Sequence, residues 1–325
     1  MRTYVPYVRL IVLICLFSSI SPQSFSQSLT LGNGKIEAGL GIGPSFFLGD
    51  LGGAPGKGKT FIKDVDLPTT KIMKGIYVNY YPAEWLGLRV AANMGQLQGN
   101  DSLTNNKGGH ERFRKQRNLQ FKSKIAEAYA ALELYPTVFL EQYDGLQGKL
   151  RPYGLAGFGV FHFNPQGEYI RPDGTKEWVD LKPLRLEGEG MTEYPDRKEY
   201  SLIQMEMVMG GGIKYYIKEN MYVGFEILHR KTFTDYVDDV STQYVNPALF
   251  STYLTPEQAT MARQLMYREN LYNPSVSRPY INTQRGDPKE NDAFFSALLR
   301  FGWRLNGDNS PNARARKQLK CPVFY

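Results

Sequence analysis

The sequence is poor in the residues that cross-link or metallate a protein. It has two cysteines, and one of them, Cys15, lies in an N-terminal apolar run. Removal of that run leaves only Cys321, which excludes an intramolecular disulfide. The three histidines, His110, His162 and His229, are too few and too scattered for a typical zinc site. We therefore expect no disulfide framework, no metal and no cofactor, and we interpret Cys321 as a tail residue without chemistry.

The sequence also lacks long hydrophobic runs. Beyond residue 26 no apolar segment approaches the about 20 residues that a membrane-spanning helix requires. The mean hydropathy of −0.40 is slightly polar, whereas a helical membrane protein would be far more apolar. A protein that crosses a membrane on a bundle of helices is therefore disfavoured.

What the chain has in abundance is aromatic residues and glycine. It contains 22 Tyr, 18 Phe and 32 Gly, and aromatic residues occupy 13% of all positions. This mixture suits a membrane β-barrel, in which outward apolar residues alternate with inward polar ones. Composition alone leaves a soluble β-sandwich open.

The first 26 residues have the form of a secretory signal peptide. Arg2 and Arg9 precede an apolar run over residues 10–17, and Ser24 and Ser26 complete a small-x-small cleavage pattern. An apolar run of about eight residues is too short to remain as a membrane helix. We predict that residues 1–26 are removed and that the mature chain is exported.

The formal net charge is +7, and two of these positive charges belong to the signal peptide. The remaining bases are scattered, with local clusters over residues 112–117 and 314–320. Nucleic acid is a poor explanation for such a distribution in an exported protein. We expect the clusters to face anionic outer-membrane lipid, envelope polymers or partner proteins.

Eight segments of the mature chain alternate with the period of a β-strand. The connections between them alternate in length, from short ones at residues 82–87 and 218–220 to a very long one over residues 235–292. Bacterial outer-membrane barrels have short periplasmic turns and long external loops, and an even strand number returns both termini to the periplasm. We predict an all-β, eight-stranded antiparallel transmembrane β-barrel over residues 27–306 and a basic periplasmic tail over residues 307–325. The predicted strands cover residues 36–48, 70–81, 88–98, 119–135, 151–163, 201–217, 221–234 and 293–305.

Aromatic residues are sorted by strand end in this arrangement. Barrels carry girdles of Tyr and Trp at the lipid–water boundaries, and an ordinary aromatic core would not sort its aromatics in this way. We therefore predict a lipid-facing girdle beside the short turns, formed by Tyr80, Tyr81, Trp85, Tyr135, Tyr153, Tyr215, Tyr216, Tyr222 and Trp303. The opposite strand ends carry Phe47, Phe163, Phe233 and Phe294.

The alternation also separates an apolar outward face from a charged inward face. An eight-stranded barrel is just wide enough inside for side chains to fill it, so we expect the inward charges to pair across the lumen and close it. The alternative, a solvated face of a soluble sheet, would leave the apolar stripes exposed to water. The outward set is Leu88, Val90, Ala92, Met94, Met205, Met207, Met209, Val223, Phe225, Ile227, Leu299, Phe301 and Trp303. The inward set is Glu37, Arg89, Glu127, Glu133, Glu206, Lys214, Glu226, Arg230, Arg300 and Arg304.

Residues 53–60 match the phosphate-binding loop pattern literally. That motif requires a helix immediately after it, because the helix N-terminus faces the phosphate. The following segment contains Asp64, Asp66 and Pro68 and has no helical periodicity. We interpret residues 53–60 as the tip of an external loop.

Two further motifs lie in the longest connection. Residues 285–287 read Arg-Gly-Asp and resemble an integrin-binding tripeptide, but such short matches arise by chance and we interpret them as turn chemistry. Thr255, Pro256 and Gln258 have the pattern of an N-cap, a first-turn proline and a capping box, which predicts a short helix to about Glu269. Its apolar residues, available to pack on the loop or on a partner, are Met261, Leu265 and Met266.

Several segments together resemble the PorG-like outer-membrane barrel family of the type IX secretion system of Bacteroidota. The matching pieces are residues 36–41 (IEAGLG), 45–53 (SFFLGDLGG), 80–88 (YYPAEWLGL), 233–245 (FTDYVDDVSTQYV), the short helix and 284–295 (QRGDPKENDAFF). The resemblance covers most of the mature chain, whereas residues 53–60 and 175–198 are particular to this sequence. It implies a non-enzymatic barrel that links the outer membrane to a periplasmic ring of a PorK-like lipoprotein and a PorN-like subunit, in machinery that exports cargo and in some organisms supports gliding motility. The resemblance supplies no catalytic residues.

Two other functions remain open on the sequence. The first is an outer-membrane hydrolase acting on lipid, in which His162 or His229 near Glu226 would serve a serine nucleophile, although no Ser–His pair has a suggestive spacing. The second is a generic structural or adhesive barrel whose long loops bind other cells or polymers.

Overall fold

Ten antiparallel strands form the sheet of this protein, and eight of them close into a barrel. The computed structural model describes residues 35–51, 67–83, 85–103, 111–139, 150–218, 220–272 and 281–305. The predicted signal peptide, the phosphate-loop pattern, His110 and the basic tail with Cys321 lie outside these residues. The strands are β1 (Lys35–Leu48), β2 (Lys71–Ala83), β3 (Leu86–Asn100), β4 (Gln120–Leu134), β5 (Leu150–His162), β6 (Pro165–Ile170), β7 (Lys176–Asp180), β8 (Ile203–Lys218), β9 (Met221–Thr232) and β10 (Ala293–Arg304).

The eight predicted strands are confirmed, and they are β1 to β5 and β8 to β10. Around the barrel the order is β3, β2, β1, β10, β9, β8, β5, β4, and the pairing of β3 with β4 closes the ring. That last pairing runs without interruption from Leu86 opposite Leu134 to Asn100 opposite Gln120. Closure leaves no barrel strand with an unpaired edge, which is what a bilayer demands of a spanning sheet.

The two faces of the barrel differ as the period-2 alternation predicts. On β3 the outward Val90 is 65% exposed, whereas the neighbouring inward Arg89 is 1% exposed. The residues predicted to face outward occupy the exposed or half-buried positions of β3, β8, β9 and β10. The barrel therefore has an apolar outer surface and a charged interior, and its core lies inside the ring of strands.

The strands β6 and β7 were not predicted. They form a hairpin, with Gln166 opposite Asp180, within residues 164–200, which the predicted strands leave as a long connection. The hairpin continues the barrel wall, because β6 also pairs with the beginning of β4 at Lys122 and Ser123. Six-residue and five-residue strands are too short to give a distinct periodicity.

Helices lie in the connections at the end of the barrel opposite the short turns. They are α1 (Glu111–Arg117), α2 (Phe250–Tyr253), α3 (Pro256–Met266) and α4 (Glu269–Tyr272), with one-turn 3-10 helices at Leu67–Thr69, Asp101–Leu103 and Lys182–Leu184. A further 3-10 turn, Pro136–Phe139, follows β4 at the short-turn end. Within the described residues, no helix combines the length and the apolar character needed to cross a membrane.

The predicted capping box is confirmed at the start of α3. The Thr255 side chain accepts a hydrogen bond from the backbone N–H of Gln258, and the Gln258 side chain accepts one from the backbone N–H of Thr255. The helix ends at Met266, somewhat earlier than predicted, because Tyr267 has an extended backbone. Its capping box and its first-turn proline settle the N-terminus from local sequence alone.

The long connections fold into a cap with its own apolar core. Leu265 and Met266 of α3 are buried in it, as are residues that lie far away in sequence. We use "cap" for residues 165–200 and the described residues between 233 and 292. The buried members of this core are Tyr169, Leu181, Leu184, Leu186, Met191, Tyr244, Val245, Phe250, Ala259, Ala262, Leu265 and Met266.

Candidate functional site

The end of the barrel beside the short turns is filled by one ammonium group, two carboxylates and a ring of tyrosines. The Nζ of Lys214 lies 3.2 Å from Oε2 of Glu37 and 3.3 Å from Oε2 of Glu133. It donates a 2.6 Å hydrogen bond to Oη of Tyr81, which in turn donates to Glu37 over 2.7 Å. The ammonium also lies 4.8 to 5.5 Å from the centroids of four rings, so the buried cation is stabilised by both carboxylates and aromatic faces. These rings belong to Tyr81, Tyr135, Tyr153 and Tyr222.

A second group of charges lies in the middle of the barrel around Glu226. This carboxylate accepts hydrogen bonds from Arg300, including one of 2.8 Å from Nε, and forms an ion pair with Arg89. Arg89 also pairs with Glu133, which connects this group to the one around Lys214. The Arg300 guanidinium stacks 4.3 Å from the centroid of the Tyr77 ring. Glu226 therefore compensates two guanidinium groups, and its loss would leave Arg300 without an ion pair among the described residues and Arg89 with Glu133 alone.

The third group lies nearest the cap. Arg230 holds Glu127 through two nitrogens, with Nη2 2.6 Å from Oε1 and Nε 3.1 Å from Oε2. Its Nη1 donates to Oγ of Ser296 over 2.5 Å. Glu206 lies beside Glu127 and joins no ion pair among the described side chains. The prediction that all ten inward charges pair across the lumen is therefore wrong for Glu206, because the Arg230 guanidinium is already engaged by Glu127 and Ser296.

Together these contacts fill the barrel rather than lining a channel. Arg304 completes the set at the short-turn rim, where it lies 3.6 Å from Oε1 of Glu37 and its side chain is 17% exposed. Above the ion pairs, a layer of apolar side chains separates the charged interior from the cap. That layer contains Met73, Leu97, Ile125, Phe161, Phe163, Val237, Phe294 and Leu298.

The predicted aromatic girdle is only partly right. Tyr80, Trp85, Tyr215 and Trp303 are exposed on the outer surface beside the short turns. Five other members of the predicted girdle lie inside the barrel, because they occupy inward positions of their strands or strand ends. Adjacent residues of a strand face opposite sides, so Tyr80 and Tyr81 could not both face lipid, and strict use of alternation would have separated them. The inward five are Tyr81, Tyr135, Tyr153, Tyr216 and Tyr222.

At the far strand ends the aromatics are divided in the same way. Phe163 and Phe294 are buried within the apolar layer, and Phe47 packs partly against it. Phe233 is exposed. These inward rings form part of the floor on which the cap rests.

A cluster of carboxylates at the junction of cap and barrel was not found from the sequence. Asp238 accepts hydrogen bonds of 3.0 Å from the backbone N–H groups of Leu51 and Val240. Asp292 accepts one of 2.8 Å from the N–H of Val237. These contacts tie the end of β1 and the start of β10 to the segment after β9, so the carboxylates act as clamps on loop backbone.

Glu187 provides the second clamp. It accepts hydrogen bonds from the backbone N–H groups of Ser241 and Thr242, at 3.0 and 2.7 Å. It also forms a 2.8 Å ion pair with Nη1 of Arg285. Arg285 is 3% exposed, and a side chain on Gly286 would collide with Ser241 and Asp50. Residues 285–287 therefore form part of the junction, as the interpretation of turn chemistry holds, and do not present Arg285 to an external receptor.

Burial changes the acidity of this junction. Desolvation, reinforced by neighbouring carboxylates, raises the pKa of Glu189 to about 8 and that of Asp239 to about 7. Desolvation likewise raises the pKa of Asp235 to about 8 and that of Asp50 to about 6. The junction thus holds protons at a pH where exposed carboxyl groups are ionised.

His162 and His229, the two histidines within the described residues, do not form the arrangement that a lipid hydrolase would need. His162 lies exposed on the outer face of β5, and His229 lies on the outer face of β9. Glu226 points into the barrel from β9, so the hypothesis that joins either histidine with Glu226 is wrong, because the residues lie on opposite sides of the wall. In the described part of the chain, no group of three or more His, Cys, Asp or Glu side chains is arranged to hold a metal ion.

Comparisons with known proteins add to this picture without naming a family. No protein-family model matches the chain, and no curated protein matches it either. Among solved structures it is similar to Ail, the attachment invasion locus protein of Yersinia pestis, at 8% identity and a TM-score of 0.32, with 83% of this chain and 98% of that chain covered. It is also similar to OprG from Pseudomonas aeruginosa, at 11% identity and a TM-score of 0.35, with 84% of this chain and 96% of that chain covered. A third similar structure is a major outer membrane protein from Thermus thermophilus, at 12% identity and a TM-score of 0.32, with 83% of this chain and 99% of that chain covered.

The closed eight-stranded antiparallel ring and its apolar outer surface give this chain the fold of an outer-membrane β-barrel protein.

Proposed function

We propose that this protein is a non-enzymatic outer-membrane component of the type IX secretion machinery, which anchors or organises a periplasmic ring of PorK-like and PorN-like proteins. The observation that carries the proposal is the filled interior of the barrel. Ion pairs and tyrosines occupy the space from the short-turn rim to the middle, and an apolar layer covers them. A barrel of this kind offers surfaces to other proteins rather than a path for a solute.

The lengths of the connections support the proposed orientation in the membrane. The short connections from β2 to β3 and from β8 to β9 lie at the same end of the barrel as Lys35 and Arg304, where the described barrel begins and ends. Outer-membrane barrels keep short turns and termini in the periplasm. The short-turn end therefore faces the periplasm and the ring, and the cap faces the exterior.

Two of the segments that resemble the PorG-like family lie at the junction of cap and barrel. Its most specific segment, residues 233–245, contains Asp238 and the backbone groups that Glu187 binds. Residues 284–295 contain Arg285 and Asp292, which complete the same junction. These two segments thus meet in one place, where they hold the cap on the barrel.

The ring contacts are assigned to the periplasmic side. The proposed contacts are made by the segment between β4 and β5 and by the basic tail predicted over residues 307–325. The tail carries Arg314, Arg316, Lys317 and Lys320. Four bases within seven residues of sequence suit an acidic surface on a partner.

The test combines secretion and capture. Deletion of the gene is expected to abolish export of type IX cargo, and the tagged wild-type protein is expected to recover the ring lipoprotein from detergent-solubilised membranes. Removal of residues 307–325 is expected to weaken that recovery while the barrel remains folded, as checked by its heat-dependent mobility on SDS gels.

A matched control neutralises two exposed bases at the other end of the molecule. Arg171→Gln with Lys176→Gln, on the external hairpin, is expected to leave ring capture unchanged, since both residues lie on the cap. Normal cargo export in the deletion strain, together with absence of ring proteins in the wild-type capture, would sink the proposal and favour a structural or adhesive barrel.

A further inference from the structure

The outer surface of the barrel carries a broad concavity, which we call the groove. Its volume is about 570 Å3, and it lies against five neighbouring strands from β10 through β1, β2 and β3 to β4. It is lined by small residues, among them Ala38, Ala92 and Ala128, and by larger side chains such as Leu40 and Trp303. The surface is almost wholly apolar, as expected where lipid covers a barrel.

The width of this groove distinguishes it from the path of a single acyl chain. Neighbouring strands lie about 4.8 Å apart, so five strands span about 19 Å. The groove is therefore broad enough for several chains lying side by side. A lipid with several acyl chains on one headgroup fits this shape better than a lipid with one or two.

Lysines stand on the same strands, toward the cap. Lys74 on β2 and Lys124 on β4 are exposed on the outer face, and neither joins an ion pair among the described residues. Lys122 lies close enough to Lys71 and Lys124 to experience their charge. Its Nζ also lies 4.1 Å from the ring centroid of Trp178 in the hairpin. Positive charge thus accumulates on this side of the barrel, where Lys74 and Lys124 have no ion-pair partner in the part of the chain that the structure describes.

The register places these lysines directly above the groove. Lys74 is opposite Met94, and the next outward pair toward the short turns is Ile76 with Ala92. On β4, Lys124 is two residues from Ala126 and four from Ala128, which lines the groove. The apolar groove is therefore directly adjacent to the lysines on its cap side.

The height of Lys124 matches the edge of the apolar band. Ten residues separate it from Leu134 at the short-turn end, which is about 33 Å along a strand. At a strand tilt of about 40° this becomes about 25 Å along the barrel axis, the height of the apolar band of outer-membrane barrels. Lys74 stands slightly deeper, and its long side chain can extend upward so that its ammonium reaches the headgroup level.

We propose that this side of the barrel binds a phosphorylated, multiply acylated glycolipid of the outer leaflet. Its acyl chains occupy the groove between β10 and β4, and its phosphate groups contact Lys74 and Lys124, with Lys122 alongside. The inference relies on the proposed function only for the orientation of the barrel, since the cap must face outward for these lysines to meet the outer leaflet. Binding itself requires no ring protein.

The experiment measures lipid that remains bound to the purified, full-length mature protein. The protein is refolded in neutral detergent and incubated with a bisphosphorylated, multiply acylated glucosamine disaccharide, with the same lipid after removal of its phosphates, or with phosphatidylglycerol. Native mass spectrometry then counts the bound lipid. The bisphosphorylated glycolipid is expected to bind at least tenfold more tightly than either of the other two.

Two pairs of variants separate this site from the general lipid coat. The double variant Lys74→Gln with Lys124→Gln is expected to lose at least tenfold in affinity, whereas Lys231→Gln, an exposed lysine at the cap end of β9, changes nothing. Ala92→Trp fills the groove and is expected to weaken binding. Met209→Trp, on β8 across the barrel, is its matched control. Folding of each variant is checked by heat-dependent mobility.

Equal binding of phosphatidylglycerol, or unchanged affinity in the double lysine variant, would overturn the site. Normal cargo export in the deletion strain, with intact glycolipid binding by the purified protein, would instead overturn only the proposed secretion role. The two failures are therefore distinguishable, because one is measured as cargo export and the other as lipid bound to the purified protein.

Discussion

The barrel interior and the cap junction both bury carboxyl groups, but they stabilise them in different ways. Inside the barrel, Glu226 lies between the guanidinium groups of Arg89 and Arg300. At the junction, Asp238 lies between two backbone N–H groups, and Asp292 accepts from a third. Rigid strands can hold long cationic side chains opposite carboxylates, whereas carboxylates on loops fold the loops around themselves.

The barrel interior and the cap junction are therefore expected to respond differently to mutation and to pH. The interior has cations next to most of its carboxylates and is enclosed by eight paired strands. The junction has a surplus of acids, with Arg117 and Arg285 as the cations in contact with it. We therefore expect mutations to be most damaging in the barrel, and changes of pH to act first on the cap.

The largest loss of stability is expected from a substitution at Glu226 inside the barrel. Glu226→Ala leaves two buried guanidinium groups without their shared partner, and the free energy of unfolding of the barrel is expected to fall by about 3–5 kcal/mol. Urea titration in lipid vesicles, followed by tryptophan fluorescence, measures it. Glu206→Gln is the control inside the same lumen, because Glu206 joins no ion pair among the described residues, and it is expected to cause no loss. Equal losses in the two variants would contradict the pairing scheme.

The next largest effect is expected in the cap core. Leu265→Ala removes a buried side chain from α3 and is expected to lower the local stability of the cap by about 2–5 kcal/mol while the barrel stays intact. Hydrogen exchange measures this by comparing amides of α3 with those of β3. Leu271→Ala, at an exposed leucine of α4, serves as the matched control. Parallel loss of protection in β3 would show that cap and barrel unfold as one unit.

The pH dependence has a defined sign. The folded-state pKa values of Asp50, Glu189, Asp235 and Asp239 lie above their ordinary values of 3.8 and 4.5, so the folded cap binds more protons than the unfolded cap across that interval. The stability of the cap is therefore expected to fall as the pH rises from about 4 to about 8. Between pH 5 and 8 the protection factors of α3 amides, corrected for intrinsic exchange, should drop at least about tenfold, which corresponds to about 1.4 kcal/mol.

The strands provide the internal reference for this measurement. Protection of amides in β3 and β4 should change much less over the same interval. Asp235→Asn removes one of the raised titrations and is expected to flatten the response. A cap that gains protection toward pH 8 would refute the assignment of protons to the junction.

The smallest effect is expected at the start of α3. Thr255→Ala removes the hydroxyl that caps the helix and is expected to cost about 1 kcal/mol. That is about a fivefold increase in the population of the open cap. Thr255→Ser keeps the hydroxyl and should retain most of the protection, and an equal loss in both variants would assign the effect to packing of the methyl group instead.

Some of the fold could be predicted because its signals are local. The eight barrel strands follow from alternation with a period of two, and the start of α3 follows from Thr255, Pro256 and Gln258. The hairpin of β6 and β7 was missed because its strands are short. The inward tyrosines were assigned to a girdle because strand-end position was given more weight than alternation.

The charged residues inside the barrel could be predicted from the sequence, but the pairs that they form could not. The inward charges were identified by alternation, yet Arg89 and Glu226 are 137 residues apart in sequence and meet only because the ring closes. The junction is more distant still, since Leu51 and Asp238 are separated by 187 residues. Neither the missing ion pair of Glu206 nor the clamps of the junction have a local signature.

The sequence by itself determined the number of barrel strands, the side that each residue faces and the first turn of α3, because these depend on neighbours a few residues away. Tertiary structure alone decided which charges meet, which acids retain protons and how the long connections fold into a cap with its own core. The physical reason is that ion pairs, desolvation and clamps depend on distances across space, and closure of the barrel sets those distances.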